Sequence, residues 1–256
     1  MKQRFVAFLI LMGMQLIVSP SLFAADLRTI AQRNKLIVAV KDNVRPLGFR
    51  DAQGKLQGFE IEIAQRLAQE LFGRSIAIEF RPVSNRDRLS VVTDEEVDFA
   101  IARVTVNSSR ARIVAFSEPY YLDRTGIITK SSAIQTQRDL TNQTIAVLNN
   151  SSTIAALRFQ FPQVKLVGID SYQAGKQLIE SGQAVGFAGD VSVLTGWTQE
   201  FPEYRILPFW IAAEPLAIVF PKGLESDELR RAVDRILLRW KAEGWLQQRA
   251  TYWGLP

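Results

Sequence analysis

The 256-residue sequence predicts an α/β fold of two lobes, each a mainly parallel sheet flanked by helices. Three observations point there. Short β-rich runs alternate with amphipathic runs at helical spacing, in two successive series. The run VDFAIA at 97–102 is nearly all apolar, as a strand of a parallel sheet covered on both faces is. No low-complexity linker separates the series, so the lobes are expected to join through a short connection, a pair of strands.

The first series opens with KLIVAV at 35–40, a strand. In GFEIEIAQRLAQELFG at 58–73, Ile63, Ala64, Leu67, Ala68 and Leu71 share one helical stripe, and Gly73 is placed to stop it. Glu60 and Glu62 fall in the first turn, where the helix dipole favours acids, so they read as structural and not as a catalytic pair. IAIEFRPV at 76–83 is a strand and NRDRLSVVTDEE at 85–96 a short helix, before the strand VDFAIA.

The second series begins near Gly126, with strands GIITK and TIAVL and then the helix SSTIAALRFQF at 151–161. VKLVGI is a strand, SYQAGKQLIESG a helix, AVGFAGD at 184–190 a strand and VSVLTGWTQEF a helix. PLAIVFPK at 215–222 returns as a strand, and SDELRRAVDRILLRWKAEG is a strong amphipathic helix. Ligands of open α/β sheets bind at the carboxyl ends of strands, and with two lobes those ends can face each other across a cleft.

Composition narrows the chemistry. At 47% hydrophobic the chain builds a real core. It has no cysteine, hence no disulfide and no thiol for a lipid anchor. It has no histidine, which removes the commonest general base and zinc ligand and excludes Ser/His/Asp and Cys/His nucleophile systems. No cofactor, metal or catalytic residue is expected. Lys2 and Arg4 precede an apolar run from Phe5 to Val18, with Pro20 and small residues after it. That is the layout of an export signal over 1–25, cleaved near Ala24-Ala25. Removing Lys2 and Arg4 lowers the net charge from +5 to +3, and the remaining arginines are scattered among acids, so no nucleic-acid partner is expected.

Three separated motifs carry a family resemblance. GFEIEIAQRLAQEL, then VDFAIARVTVNSSRARIVAFSEPYY, then the terminal YWG resemble, in order, the signatures of bacterial family 3 extracellular solute-binding proteins, the receptors of polar amino-acid ABC importers. The similarity covers residues 36–254. It implies the type II periplasmic-binding-protein fold, two lobes joined by two hinge strands and closing on an amino acid. On this reading 26–121 with 215–256 form lobe 1, and 122–214 form lobe 2. It also implies a periplasmic monomer that binds a free L-amino acid and is read by a membrane ABC permease.

Residue by residue, the resemblance assigns roles. Arg110 matches the arginine that holds the ligand α-carboxylate, a task suited to the two-pronged guanidinium. Thr105 matches the threonine that adds a hydroxyl to that carboxylate, and Asp190 the aspartate that takes the α-ammonium, although as a residue before a helix Asp190 is also an N-cap. NNSST at 149–153 matches a Gly-Thr-Thr-like turn, with Asn150 at a position where glycine is usual. Ser151, Ser152 and Thr153 either cap the helix or touch ligand. Lys41 replaces the acid that receptors of basic amino acids carry, and Arg88 matches the arginine that acidic receptors use for a side-chain carboxylate. The two together would neutralise a second negative charge, unless they point to solvent beside Asp42 or Asp87. Glutamate or aspartate is the expected ligand, glutamine next.

Two departures stand out. Arg103 occupies a position that is usually glycine or small, and Leu47 replaces a phenylalanine, weakening an aromatic sandwich. Two rival readings share the fold. One is an enzyme resembling cyclohexadienyl dehydratase, which needs a placed acid in the cleft. The other is a ligand-sensing subunit for a membrane receptor.

Overall fold

A computed structural model describes residues 26–73, 76–149 and 151–256. The expected export signal lies outside these, as does Asn150. The chain runs α1 (Leu27–Arg33), β1 (Lys35–Val40), β2 (Asn43–Val44), β3 (Gly48–Arg50), β4 (Leu56–Gln57), α2 (Phe59–Phe72), β5 (Ala77–Pro82), α3 (Ser90–Thr93) and β6 (Phe99–Ile101). It continues through β7 (Ala115–Thr129), β8 (Thr144–Leu148), α4 (Thr153–Gln160), β9 (Lys165–Ile169), α5 (Tyr172–Glu180), β10 (Gly186–Asp190) and α6 (Val191–Glu200). It ends with β11 (Arg205–Ile206), β12 (Ala212–Phe220), α7 (Leu224–Ala242) and α8 (Trp245–Tyr252).

One sheet spans the molecule in the order β5-β1-β6-β12-β7-β10-β8-β9, with β11 beside β7. Each end is parallel: β1 pairs in parallel with β5 and β6, and β8 with β9 and β10. The middle is antiparallel, β7 against both β12 and β10. The mixed α/β fold with helix-flanked sheets is therefore the type II arrangement expected. Each half has its own core. Phe59, Leu67, Val233 and Trp240 pack α2 and α7 against the first half, while Phe187, Leu194, Trp197 and Tyr204 fill the second. No described helix is long and apolar enough to cross a membrane.

β7 departs from the sequence reading, which ended the first series at the strand VDFAIA and began the next near Gly126. A single fifteen-residue strand instead runs through EPYY and on past Gly126. Pro119 hid it, because proline cannot donate to a ladder. The strand tolerates Pro119 at a register irregularity, since Pro119 faces Ala217 where the pairing with β12 shifts between Leu216 and Ala217. β7 and β12 are the two strands that connect the halves.

The halves also meet away from this pair. A β-carbon on Gly196 of α6 would stand 2.0 Å from the Arg45 carbonyl oxygen, so glycine permits the backbones to touch there. Arg45 and Glu200 form an ion pair at 3.6 Å beside that contact.

Candidate functional site

The carboxyl ends of β6, β8, β9 and β10 converge on a cavity of about 800 Å³ between the halves. The first wall carries Arg88, Arg103, Thr105 and Arg110; the second carries Ser151, Ser152, Tyr172 and Asp190; Glu214 of β12 stands between them. Lys41 is not among the lining residues.

The first wall is held by the fold itself. Arg88 is buried and donates from Nη1 to the Ala102 carbonyl at 2.9 Å and to the Arg103 carbonyl. Burial, then the positive neighbours Arg103 and Arg110, pull its guanidinium down to about 9. It still carries its proton at neutral pH. Arg110 opens a 3-10 turn, donates its backbone N–H to Asn107 Oδ1 at 2.9 Å and donates from Nη1 to the Thr105 carbonyl at 2.9 Å. Its guanidinium is half-buried at the cavity, and burial lowers its pKa while Glu214 opposes that shift. Arg112 is exposed, so the three arginines of this stretch do separate things.

Lys41 and Arg88 do not point to solvent. Asp42 accepts instead from Arg50, and Asp87 from Ser84. Lys41 is buried with its Nζ donating to the Val83 carbonyl, so it lies beneath the wall and does not reach the cavity. Burial, then Arg103 and Arg88, lower its pKa. Leu47 is fully buried in the first core and does not line the cavity either.

Arg103 has φ +53°, the left-handed region that favours glycine, which explains a small residue at this position. Its N–H donates to Glu60 Oε1 at 2.8 Å. Glu60, in the first turn of α2, is fully buried and also accepts from the Tyr120 hydroxyl. Burial pushes its carboxyl up, and those two hydrogen bonds oppose the push. The helix-dipole reading of Glu60 was incomplete: the carboxylate pins the loop that carries Arg103. Glu62 is bidentate to Arg249 at 2.7 and 2.8 Å.

The second wall is built at two helix starts. Asp190 precedes α6 but makes no capping hydrogen bond. The capping falls to Asp123 of β7, whose Oδ1 accepts the Ser192 N–H at 3.1 Å. Asp190 is thereby released to the cavity, where it forms an ion pair with the Arg103 guanidinium across the gap. At the start of α4 the serines divide the work. Ser151 Oγ accepts the Thr153 N–H at 3.0 Å, whereas Ser152 Oγ donates to Glu214 Oε1 at 3.0 Å. Thr153 is buried.

Glu214 escaped the sequence reading. Its Oε2 accepts from Thr105 Oγ1 at 3.1 Å, and its Oε1 accepts from Thr125 Oγ1 at 3.3 Å as well as from Ser152. The one available signal was a lone acid beside an otherwise apolar strand. Among the described residues no group of three or more acids could hold a metal ion. The cavity can instead grip a small carboxylate: guanidinium groups and hydroxyls line one side, and helix N-termini the other.

Residues 36–256 match the bacterial extracellular solute-binding proteins, family 3. A glutamine-binding protein of Geobacillus stearothermophilus is 29% identical over 195 residues, 75% of this chain and 74% of its own. The glutamate-binding protein GluB of Corynebacterium glutamicum is 24% identical over 84% of this chain and 76% of its own. The solute receptor for L-cysteine of Neisseria gonorrhoeae superposes with a TM-score of 0.73 at 27% identity, covering 89% of this chain and 93% of that one. An ancestral amino acid-binding protein described as a precursor of cyclohexadienyl dehydratase shares the fold, with a TM-score of 0.74 at 24% identity over 89% of this chain and 98% of that one.

Proposed function

The chain belongs to the bacterial extracellular solute-binding proteins of family 3, and from that membership we propose that it captures an acidic amino acid, glutamate or aspartate ahead of glutamine. One observation carries the choice of an acid. Arg88, Arg103 and Arg110 share one wall of the cavity, and Lys41 adds positive charge from beneath. Such a wall favours a ligand with two carboxylates and opposes a basic side chain. Relatives named for glutamine and glutamate agree with a small polar amino acid.

In this reading Arg110 and Thr105 hold the α-carboxylate and Arg88 faces the side-chain carboxylate. Ser152 and Asp190 meet the ligand's side of the cavity from the second lobe. The lobes divide at 121/122 and 214/215, inside β7 and β12. Bending of those strands opens and closes the cleft, and ligand favours the closed state by touching both walls. The protein works outside the cytoplasm as a monomer after removal of 1–25, and its closed form delivers the ligand to an ABC permease.

A second reading, an eliminating enzyme, draws on Glu214 as the acid placed in the cleft. Binding is favoured because the three hydrogen bonds at Glu214 are all donated to it, which casts it as an acceptor. Turnover of prephenate by pure protein would reverse that preference. Thermal denaturation with each common L-amino acid tests the main reading. Ligand at ~100 times its dissociation constant stabilises by about 2.7 kcal/mol. The expected response is to glutamate, aspartate or glutamine; a response to arginine or lysine alone would contradict it.

A further inference from the structure

We infer that Glu214, and not Asp190, receives the ammonium group of the bound amino acid, because Arg103 already occupies Asp190. The inference rests on reading the cavity as an amino-acid site. Asp190 is the acid at the end of β10, and its cavity-facing carboxylate is paired with the Arg103 guanidinium. That pair is sheltered: the side chains are 8% and 17% exposed. Arg103 cannot retreat easily. Its backbone is fixed by the bond to Glu60, and its guanidinium is held between its ion-pair partner Asp190 and the side chain of Tyr172. An ammonium that displaced it would break the ion pair of a buried guanidinium that already faces Arg88, leaving only Tyr172 and the carboxylates of Asp123 and Glu60 to offset its charge.

Glu214 offers the opposite terms. Its partners are the neutral hydroxyls of Thr105, Thr125 and Ser152, which can rotate to new acceptors. A carboxylate accepts about four hydrogen bonds, and with two on Oε1 and one on Oε2 a site on Oε2 stays open. Oε2 is the oxygen bonded to Thr105, next to Arg110. A ligand's α-carboxylate on Arg110 therefore places its α-ammonium, one carbon away, within reach of Glu214. Arg103 and Asp190 then act together as a bridge that the protein makes for itself, closing the lobes without reading the amine.

The test separates amine recognition from closure. Dissociation constants are measured by titration calorimetry for whichever of glutamate, aspartate or glutamine binds best, and for its counterpart lacking the amine (glutarate, succinate or glutaramate). The ratio of the two constants reports the ammonium seat. Glu214→Gln is expected to collapse the ratio by about tenfold or more, the scale of one lost charged contact. Glu214→Asp keeps the charge and retains part of it. Asp190→Asn weakens both ligands alike and leaves the ratio within about threefold. Collapse in Asp190→Asn with the ratio intact in Glu214→Gln would overturn the inference. So would a parent protein that binds both members of the pair equally. A parent that binds no L-amino acid at all removes the amino-acid reading itself, and the inference with it. If Glu214→Gln does not fold, the Glu214→Asp and Asp190→Asn ratios decide between the two seats.

Discussion

The two walls of the cleft are held in opposite ways. On the first, Arg88 and Arg110 hang on carbonyls of their own lobe, and Arg103 is pinned through its N–H to the buried Glu60. On the second, the polar groups that face the cavity find their partners across the gap or on the connecting strand: Asp190 on Arg103, and Ser152 on Glu214. A wall that satisfies itself exists before ligand arrives. A wall that is satisfied only from the other side is completed by closure, so opening the cleft leaves it exposed to water and ready for a new partner.

The largest expected effect breaks the preset wall. Arg110→Ala removes the carboxylate clamp, and binding of the amino acid falls by ~100-fold or more, about 2.8 kcal/mol. Calorimetry checks this, and undiminished affinity would displace the carboxylate site elsewhere. Closure is broken next by Gly196→Val. The added branch meets the Arg45 carbonyl, so the lobes stay apart and affinity drops by roughly tenfold, while small-angle scattering shows no compaction on adding ligand. An unchanged compaction would show that this contact does not gate closure.

Arg103→Gly tests the bridge. Glycine suits φ +53°, so the fold keeps its stability, but the closed form loses the pairing that bridges the lobes. A smaller compaction on adding ligand, read by small-angle scattering, is the expected result; an unchanged compaction means that Arg103 holds nothing closed. The smallest effect concerns Glu60. Burial raises its pKa above the ordinary 4.5, so its contribution to stability is present below that value and lost as pH rises through the folded pKa. Glu60→Gln carries no such loss. Its melting temperature relative to the parent therefore moves upward from pH 4 to pH 8, and a difference that stays flat would show that Glu60 does not titrate in this range.

Much of this was legible in the chain. The strands of the parallel ends and helices α2, α4, α5, α6 and α7 follow from periodicity, because their residues are neighbours in sequence, whereas α1 and α8 went unread. Asp190, Thr105 and Arg110 fall at element ends, where site residues of an α/β sheet collect. What stayed hidden depends on residues far apart. Asp190 lacks its capping bond because Asp123, on a different strand, caps α6 instead. Arg103 looked misplaced because neither its left-handed backbone nor its partner across the cleft is written locally. Lys41 looked like a ligand contact because a basic residue after a strand gives no sign that a carbonyl of the next strand's exit, Val83, will take it. Glu214 falls just before the strand expected at 215–222 and has no role in the sequence reading; only the approach of Thr105, Thr125 and Ser152 shows it at the centre.

Amide hydrogen exchange with and without saturating L-glutamate tests the difference between the walls most directly. The prediction is strong protection of 99–105 in both states, with 151–155 and 190–194 gaining protection only when ligand is bound. Equal protection of both segments in the two states, or a gain confined to 99–105, would contradict a cleft whose first wall is preset and whose second is completed by closure.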